Sequence, residues 1–252
     1  MIEALSKAEM ALRTQQQYID MISNNISNIN TPGYKASTPI FNSLVSPMPA
    51  GDIPGPEIGS GVEISGSLHR FTDGEYKFTG SPMDLAIQGN GLLEVESENG
   101  LTAYTRISTL KKLEDGSLAT IQGHKLSSNI VVPPDVEEIL VDRNGEVTGR
   151  TRSETEPLVL GQLELVLFDA AESLKAGDGG LWYETESAGG MQYLTPGGDG
   201  AGILLQGYTE MSNVNMIEEM VTLMAAQRAY QLNSRVIQTS DQILETINNL
   251  IR

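Results

Sequence analysis

Several residue types are missing or scarce in this sequence, and each absence narrows the range of functions. The 252 residues include no cysteine, which excludes disulfides, thiolate nucleophiles and metal sites built on cysteine. Aromatic residues make up only 5%, so we expect a core of aliphatic and small side chains. There are 16 lysines and arginines against 33 aspartates and glutamates. The resulting net charge of −17 argues against a nucleic-acid partner and against binding to an anionic membrane surface.

Long apolar runs are missing as well. None reaches the roughly 18 residues that can span a bilayer, so we expect no insertion into a membrane. The N-terminus lacks the basic and apolar segments of a cleavable signal peptide, because Met1-Ile2-Glu3 leads directly into an amphipathic pattern. If the protein leaves the cytoplasm, we therefore expect an export route that uses no cleavable signal.

The sequence does have an amphipathic segment at each end. In the first segment, apolar residues recur in steps of three and four, as in a coiled coil, at Leu5, Ala8, Leu12, Ile19, Ile22, Ile26 and Ile29, with Gln15 filling the one gap. In the last segment they recur at close to the helical period, at Val221, Ala225, Ala229, Leu232, Val236, Ile243, Ile247 and Leu250, and Met216, Met220 and Met224 line one face. We predict a helix over about 2–29 and a second from about 212–215 to 252, with Asn215 as its cap. Their apolar stripes must be buried, either against each other or against other copies of the chain.

The middle of the chain is typical of short strands joined by turns. Four dipeptides with apolar or β-branched neighbours favour hairpin turns, namely Asp73-Gly74, Asn99-Gly100, Asp115-Gly116 and Asn144-Gly145. The stretch 46–61 holds four prolines and four glycines, which predicts a surface loop or a linker.

No pattern in the sequence indicates a catalytic or cofactor site. His69 and His124 are the only histidines and have no metal-binding spacing. Gly89-Asn90-Gly91 is not a dinucleotide fingerprint, because Glu94 stands where its third glycine belongs. The many carboxylates leave room for a glycosidase-type acid pair, but nothing distinguishes one pair from the rest. We therefore predict no enzymatic activity, no cofactor and no metal.

Several segments of the sequence have the character of signature motifs. The stretch 22–35, ISNNISNINTPGYK, resembles the N-terminal signature of the rod and hook proteins of the bacterial flagellum. Gly89-Asn90-Gly91-Leu92 with Ala103-Tyr104-Thr105-Arg106 is similar to a middle motif of the same family, which usually has Phe where this chain has Leu92. Residues 206–215 and 227–230 resemble the C-terminal signature of the family, and their sequence is most similar to that of the distal-rod type. Residues 41–45, FNSLV, match the F-x-x-x-apolar export motif of the family, with Phe41 and Val45 as its two apolar positions.

The resemblance implies an α+β subunit of a hollow helical drive shaft that transmits torque and encloses an export channel. Residues 1–42 and 209–252 would supply the two long helices of an inner coiled-coil domain. Residues 43–67 would form a linker or rod-specific loop, and 68–208 a β-rich, mostly antiparallel outer domain. The expected assembly interface consists of Leu5, Leu12, Ile19, Ile22, Ile26, Ile29, Val221, Met224, Leu232, Val236, Ile243, Ile247 and Leu250.

The same resemblance implies partners and a location. The partners would be further copies of the chain, other rod proteins, the hook, the export apparatus and, in a Gram-negative source, the P- and L-ring proteins. The location would be the basal body in the periplasmic space. A proximal-rod or hook-type protein is the nearest alternative, and a secreted β-rich binding module is the alternative from another class.

Overall fold

The computed structural model describes residues 2–46, 58–97, 99–107, 109–128, 130–151 and 157–250. Within these ranges, helix α1 spans Ile2–Ser27 and helix α2 spans Met216–Leu250. The first strands are β1 (Ser37–Ser46), β2 (Ile58–His69), β3 (Tyr76–Phe78), β4 (Leu85–Gln88), β5 (Leu93–Glu96), β6 (Thr102–Thr105), β7 (Leu110–Lys112), β8 (Leu118–Thr120) and β9 (Lys125–Leu126). The later strands are β10 (Val136–Val141), β11 (Glu146–Thr151), β12 (Leu158–Gln162), β13 (Leu165–Phe168), β14 (Lys175–Ala176), β15 (Leu181–Tyr183), β16 (Met191–Leu194), β17 (Ile203–Gln206) and β18 (Tyr208–Glu210).

The chain divides into two compact units. We call residues 2–27, 37–46, 58–68 and 214–250 the helical unit, because they contain α1, α2 and the paired strands β1 and β2. We call Asn28–Ala36 together with the described part of His69–Asn213 the β unit. The range 43–67, predicted as a loop or linker, includes the end of β1 and most of β2, and its residues 47–57 lie outside the described residues.

The β unit is built from several small antiparallel sheets. The largest has seven strands in the order β14-β15-β6-β5-β9-β8-β7, and β10, β11 and β12 form a three-stranded sheet. In β5, Leu93 and Val95 are buried while Glu96 is exposed, as expected for a strand with one face on the core. Every registered pairing among β3 to β18 is antiparallel.

Three of the four predicted turn dipeptides join paired strands. Asn99-Gly100 connects β5 to β6, Asp115-Gly116 connects β7 to β8, and Asn144-Gly145 connects β10 to β11. Each glycine has the positive φ that such a turn requires, for example +86° at Gly145. The hairpin predicted at Asp73-Gly74 is wrong, because the strand after it, β3, pairs with the distant β18.

The core of the β unit consists of two clusters. The larger is aliphatic and includes Leu85, Ile87, Val95, Leu165 and Leu204. The smaller contains Tyr104 and Trp182, which contact Phe168 and Phe71 respectively at ring-centroid distances of 4.8 Å. The few aromatic residues of the chain are thus partly concentrated in one place.

In the helical unit, α1 packs against the strand pair β1–β2 and against α2. The Thr14 hydroxyl donates to the carbonyl oxygen of Val62 at 2.8 Å, and the Tyr18 and Phe41 rings meet edge-on at 5.5 Å. Buried Asn25 exchanges hydrogen bonds with the backbone of Ser37 in β1. Polar contacts therefore fix α1 on the hairpin.

The predicted coiled-coil domain of the two terminal helices is wrong, although the α+β class fits. A coiled coil buries a continuous apolar seam of both helices. Among the described side chains of α1 and α2, only Ile22 and Ala226 are buried apolar residues. Part of the contact between the helices is polar: the Gln15 side chain donates to the carbonyl oxygen of Ala226 at 3.1 Å, and Asn25 donates to Glu219 at 3.4 Å.

In the described part of the chain, neither helix combines the length and apolarity needed to cross a membrane.

Candidate functional site

The apolar residues predicted for the interface in α1 are mostly covered within the helical unit. Ile22 is buried, and Leu12, Ile19 and Ile26 are half-buried. Ile29 lies beyond the end of α1, in the segment 28–36 of the β unit, and is half-buried. Leu5 lies in α1, but its side chain is outside the described part of the structure.

The corresponding residues of α2 are exposed. We define the outer face of α2 as eight apolar side chains that are 42–75% exposed, namely Met216 42%, Ile217 75%, Met220 48%, Val221 56%, Met224 53%, Leu232 62%, Val236 54% and Ile243 47%. Ile247 and Leu250 lie in α2, but their side chains are outside the described part of the structure.

Helical geometry explains why this face is free. Successive residues are about 100° apart, so Leu232 and Val236 lie roughly 80–140° around α2 from Ala226 and the half-buried Ile237, and not on their side of the helix. The small side chain of Ala226 allows α1 to approach closely, and Gln15 reaches its carbonyl oxygen. The side of α2 that faces α1 is thus small or partly polar, while the larger apolar stripe is left in solvent.

The outer face also differs in charge from the rest of the protein. The sequence from 220 to 240 contains no aspartate or glutamate, and Arg228 and Arg235 are exposed within it. This segment belongs to a chain with a net charge of −17. An apolar surface with two cations therefore lies on an otherwise acidic molecule.

The residues predicted to form an export motif, 41–45, lie on β1. Phe41 is 49% exposed, and its ring rests against Tyr18 of α1. Burial, and secondly the charge of Glu219, raises the pKa of Tyr18 above its ordinary value. Val45 lies near the end of β1, and its side chain is outside the described residues.

A buried charge cluster in the β unit was missed by the sequence analysis. The Glu210 carboxylate, 1% exposed, accepts hydrogen bonds from Lys35 Nζ at 2.7 Å, Arg106 Nε at 2.6 Å and the backbone N–H of Gly74 at 2.9 Å. Arg106 also donates to Asp73 and to the carbonyl oxygens of Ile87, Gly89 and Gly91. The two buried cations, Lys35 and Arg106, are thus both paired with Glu210, and Arg106 is also paired with Asp73.

The surroundings of the cluster shift the ionisation of its members. Burial lowers the pKa of Lys35, and the Arg106 cation lowers it further, while Glu210 opposes the change. Burial also raises the pKa of Tyr76, whose hydroxyl donates to Asp73 at 2.6 Å. Lys35 lies near the end of the segment Asn28–Ala36 and Glu210 near the end of His69–Asn213, so this cluster fixes the chain close to the two points where it leaves the β unit.

Asn213 adds neutral contacts beside the cluster. Its side chain accepts from the backbone N–H of Ala36 at 2.8 Å and donates to the carbonyl oxygens of Arg70 and Thr72. Lys35, Arg106, Glu210 and Asn213 each lie in one of the segments whose resemblance was noted above. The sequence did contain one signal of the charge cluster, namely charges of opposite sign in separate signature segments. A single sequence does not show, however, that these segments meet in the fold.

One open cavity of about 270 Å³ lies on the β unit, between β5 and β13. Its lining includes Glu94, Glu164, Gln162 and Tyr193, which makes it an acidic surface. Among the described residues, no group of three or more histidine, aspartate or glutamate side chains could hold a metal ion. The outer face of α2 is therefore the more informative feature.

The comparisons with known proteins agree with one another. Three family models match the chain: the flagella basal body rod protein model at residues 5–35, the flagellar hook protein FlgE/F/G D1 domain at 86–149, and the C-terminal region of the flagellar basal body rod FlgEFG proteins at 205–250. The chain is 35% identical over 261 residues to the flagellar basal-body rod protein FlgG of Caulobacter vibrioides, with 99% of both chains covered. It is 36% identical over 270 residues to FlgG of Borreliella burgdorferi and 33% identical over 272 residues to FlgG of Bacillus subtilis, with 100% of each chain covered. The chain therefore belongs to the FlgG family of flagellar basal-body rod proteins.

Proposed function

We propose that this chain forms the distal rod, a hollow helical shaft of identical subunits that transmits torque from the motor to the hook and encloses the export channel. As a member of the FlgG family it is a structural subunit of the flagellar rod in the basal body, associated with other rod and hook components. The observation that carries the proposal is the exposed outer face of α2, because an apolar stripe of this length needs a partner.

The partner of the outer face is a second copy of the chain. A neighbouring subunit is acidic, with 33 aspartates and glutamates against 16 lysines and arginines. The outer face is free of carboxylates between 220 and 240 and exposes Arg228 and Arg235, so it meets such a neighbour with complementary charge. A head-to-tail contact of this kind, repeated by a rotation that does not close, produces an open helical filament.

The proposal extends to the surroundings of the shaft. Other rod proteins and the hook continue it at its two ends, and the P- and L-ring proteins surround it in a Gram-negative source. The shaft lies in the periplasmic space, and its subunits leave the cytoplasm through the flagellar export apparatus. The role is mechanical, with no catalysis, no cofactor and no metal.

Export depends on Phe41 and Val45 in this proposal. Phe41 is held in β1 with half of its ring surface covered, partly by Tyr18. The export apparatus therefore engages the motif before α1 packs on β1.

The test places a carboxylate on the outer face of the full-length chain. Leu232 is 62% exposed, so Leu232→Asp removes little packing from the folded monomer. In the shaft it forfeits the roughly 1.5–3 kcal/mol that burying a leucine contributes, and it adds the cost of burying an unpaired carboxylate. We expect this variant to lose assembly, measured by sedimentation and electron microscopy, with its thermal unfolding unchanged.

Gln17→Asp is the matched control, because it places the same residue at an exposed helical position in α1, outside the outer face of α2. This control should assemble like the original chain. Tubes formed equally well by Leu232→Asp would refute the outer face as the assembly surface.

A further inference from the structure

Three methionines form a ridge on the outer face of α2. Met216, Met220 and Met224 are spaced by four residues, so their side chains lie one above the other along the helix. They are 42%, 48% and 53% exposed, whereas Met21 and Met83 are at least partly buried. The ridge runs beside Ile217 and Val221 and is continuous with the proposed assembly surface.

Methionine is the one residue type on this face whose polarity can change by reaction with a small oxidant. A thioether sulfur attacks one oxygen of hydrogen peroxide, a sulfur–oxygen bond forms and the oxygen–oxygen bond breaks. The sulfur loses two electrons, and the peroxide is reduced to water. The product, methionine sulfoxide, is a polar side chain in place of a flexible apolar one.

We propose that Met216, Met220 and Met224 form a peroxide-sensitive site that controls whether the subunit can assemble. This inference rests on the proposed function, because it requires the outer face to be the surface that a second copy covers. Oxidised subunits are excluded from the shaft, since sulfoxide oxygens would be buried without partners against the neighbour. Subunits already in the shaft are protected, since the same contact covers their sulfurs.

The experiment uses the full-length monomer and hydrogen peroxide as the probe. Peptide mass spectrometry follows sulfoxide formation at each methionine, and sedimentation measures the concentration at which assembly begins. We expect the ridge to oxidise several times faster than Met21 and Met83. Oxidation should raise that assembly concentration by about tenfold or more, as expected for buried polar groups without partners.

Two variants separate the ridge from other methionines. The triple variant Met216→Leu, Met220→Leu, Met224→Leu keeps an apolar helix-forming face without sulfur, and it should assemble before and after peroxide treatment. Met191→Leu removes a 44% exposed methionine of the β unit, and this variant should still lose assembly on oxidation. Thiol-driven methionine sulfoxide reductases, one for each sulfoxide epimer, should restore assembly of the oxidised original chain.

Each outcome decides the proposal. Slow oxidation of the ridge, unchanged assembly of the oxidised chain, or lost assembly of the oxidised triple variant overturns it. If the triple variant does not assemble even untreated, the reductase experiment on the oxidised original chain takes its place. Failure of the reductases to restore assembly of that chain overturns the proposal. If the untreated original chain does not assemble, or if Leu232→Asp assembles normally, the assembly surface itself is wrong and the inference falls with it.

Discussion

Glu210 should be the most sensitive single carboxylate of the β unit. Its side chain is 1% exposed and neutralises two cations that are themselves almost fully buried, Lys35 and Arg106. Glu210→Gln keeps the shape of the side chain but leaves both cations short of a counter-charge. Breaking a buried ion pair by removing one partner costs about 3–5 kcal/mol, and we expect a loss of this size in the free energy of unfolding.

The measurement is urea unfolding followed by tryptophan fluorescence. Trp182 is the only tryptophan of the chain and is 5% exposed in the β unit, so its emission reports unfolding of this unit. In a thermal melt, a unit of this size should lose on the order of 10 °C, since each kcal/mol shifts the midpoint by about 2–4 °C.

An exposed ion pair provides the control. Glu138 lies 3.5 Å from Arg150, with side chains 47% and 69% exposed, so Glu138→Gln should cost less than about 1 kcal/mol. Adding Lys35→Met to Glu210→Gln should recover part of the loss, because one uncompensated cation is removed. Equal effects of Glu210→Gln and Glu138→Gln would refute the argument that the cluster holds the β unit together.

Three further predictions concern other parts of the chain. Burial lowers the pKa of His69 below its ordinary 6.5, so the unfolded chain binds the proton more strongly and the free energy of unfolding should fall as the pH drops below 6.5. His69→Gln should reduce this fall in urea titrations from pH 7.5 to 5, while an equal fall in the variant would exclude His69 as its source. Phe41→Ala should block secretion of the protein without lowering its intracellular level, measured by immunoblots of medium and cells. Normal secretion of this variant would show that Phe41 serves only in packing. Asn25→Ala should destabilise the helical unit by about 1–3 kcal/mol, because it leaves the backbone N–H and carbonyl of Ser37 without their partner. Helical circular dichroism during urea unfolding measures this loss, and an unchanged midpoint would show that the two hydrogen bonds contribute nothing.

Local signals in the sequence predicted the limits of the helices and most of the turns. The predicted helix over 2–29 is observed as Ile2–Ser27, ending before Thr31-Pro32-Gly33. In α2, the Asn215 side chain accepts from the N–H of Ile217 at 3.1 Å, as expected of an N-cap. Such features depend on neighbouring residues, which is why the sequence alone can indicate them.

Asp73-Gly74 shows where local signals stop being sufficient. The dipeptide looks like the other hairpin turns, but here Asp73 pairs with Arg106 and Gly74 donates to Glu210. A cation buried by the fold needs a carboxylate partner. The partner of Arg106 is Glu210, which lies 104 residues away in the sequence. The cluster could not be predicted, because no local pattern shows which distant segments meet.

The error over the coiled coil has a different cause. The period of Leu232, Val236 and Ile243 correctly identified an apolar face of α2, but a period shows only that a face avoids water, and not which surface covers it. In the structure the helix presents Ala226 to its own chain and the larger side chains to solvent. A helix selected only for the stability of a monomer would have the opposite arrangement, with its largest apolar side chains inside. The sequence of α2 is therefore better explained by a contact between subunits than by the fold of one subunit, and this is why a single copy leaves its stripe uncovered.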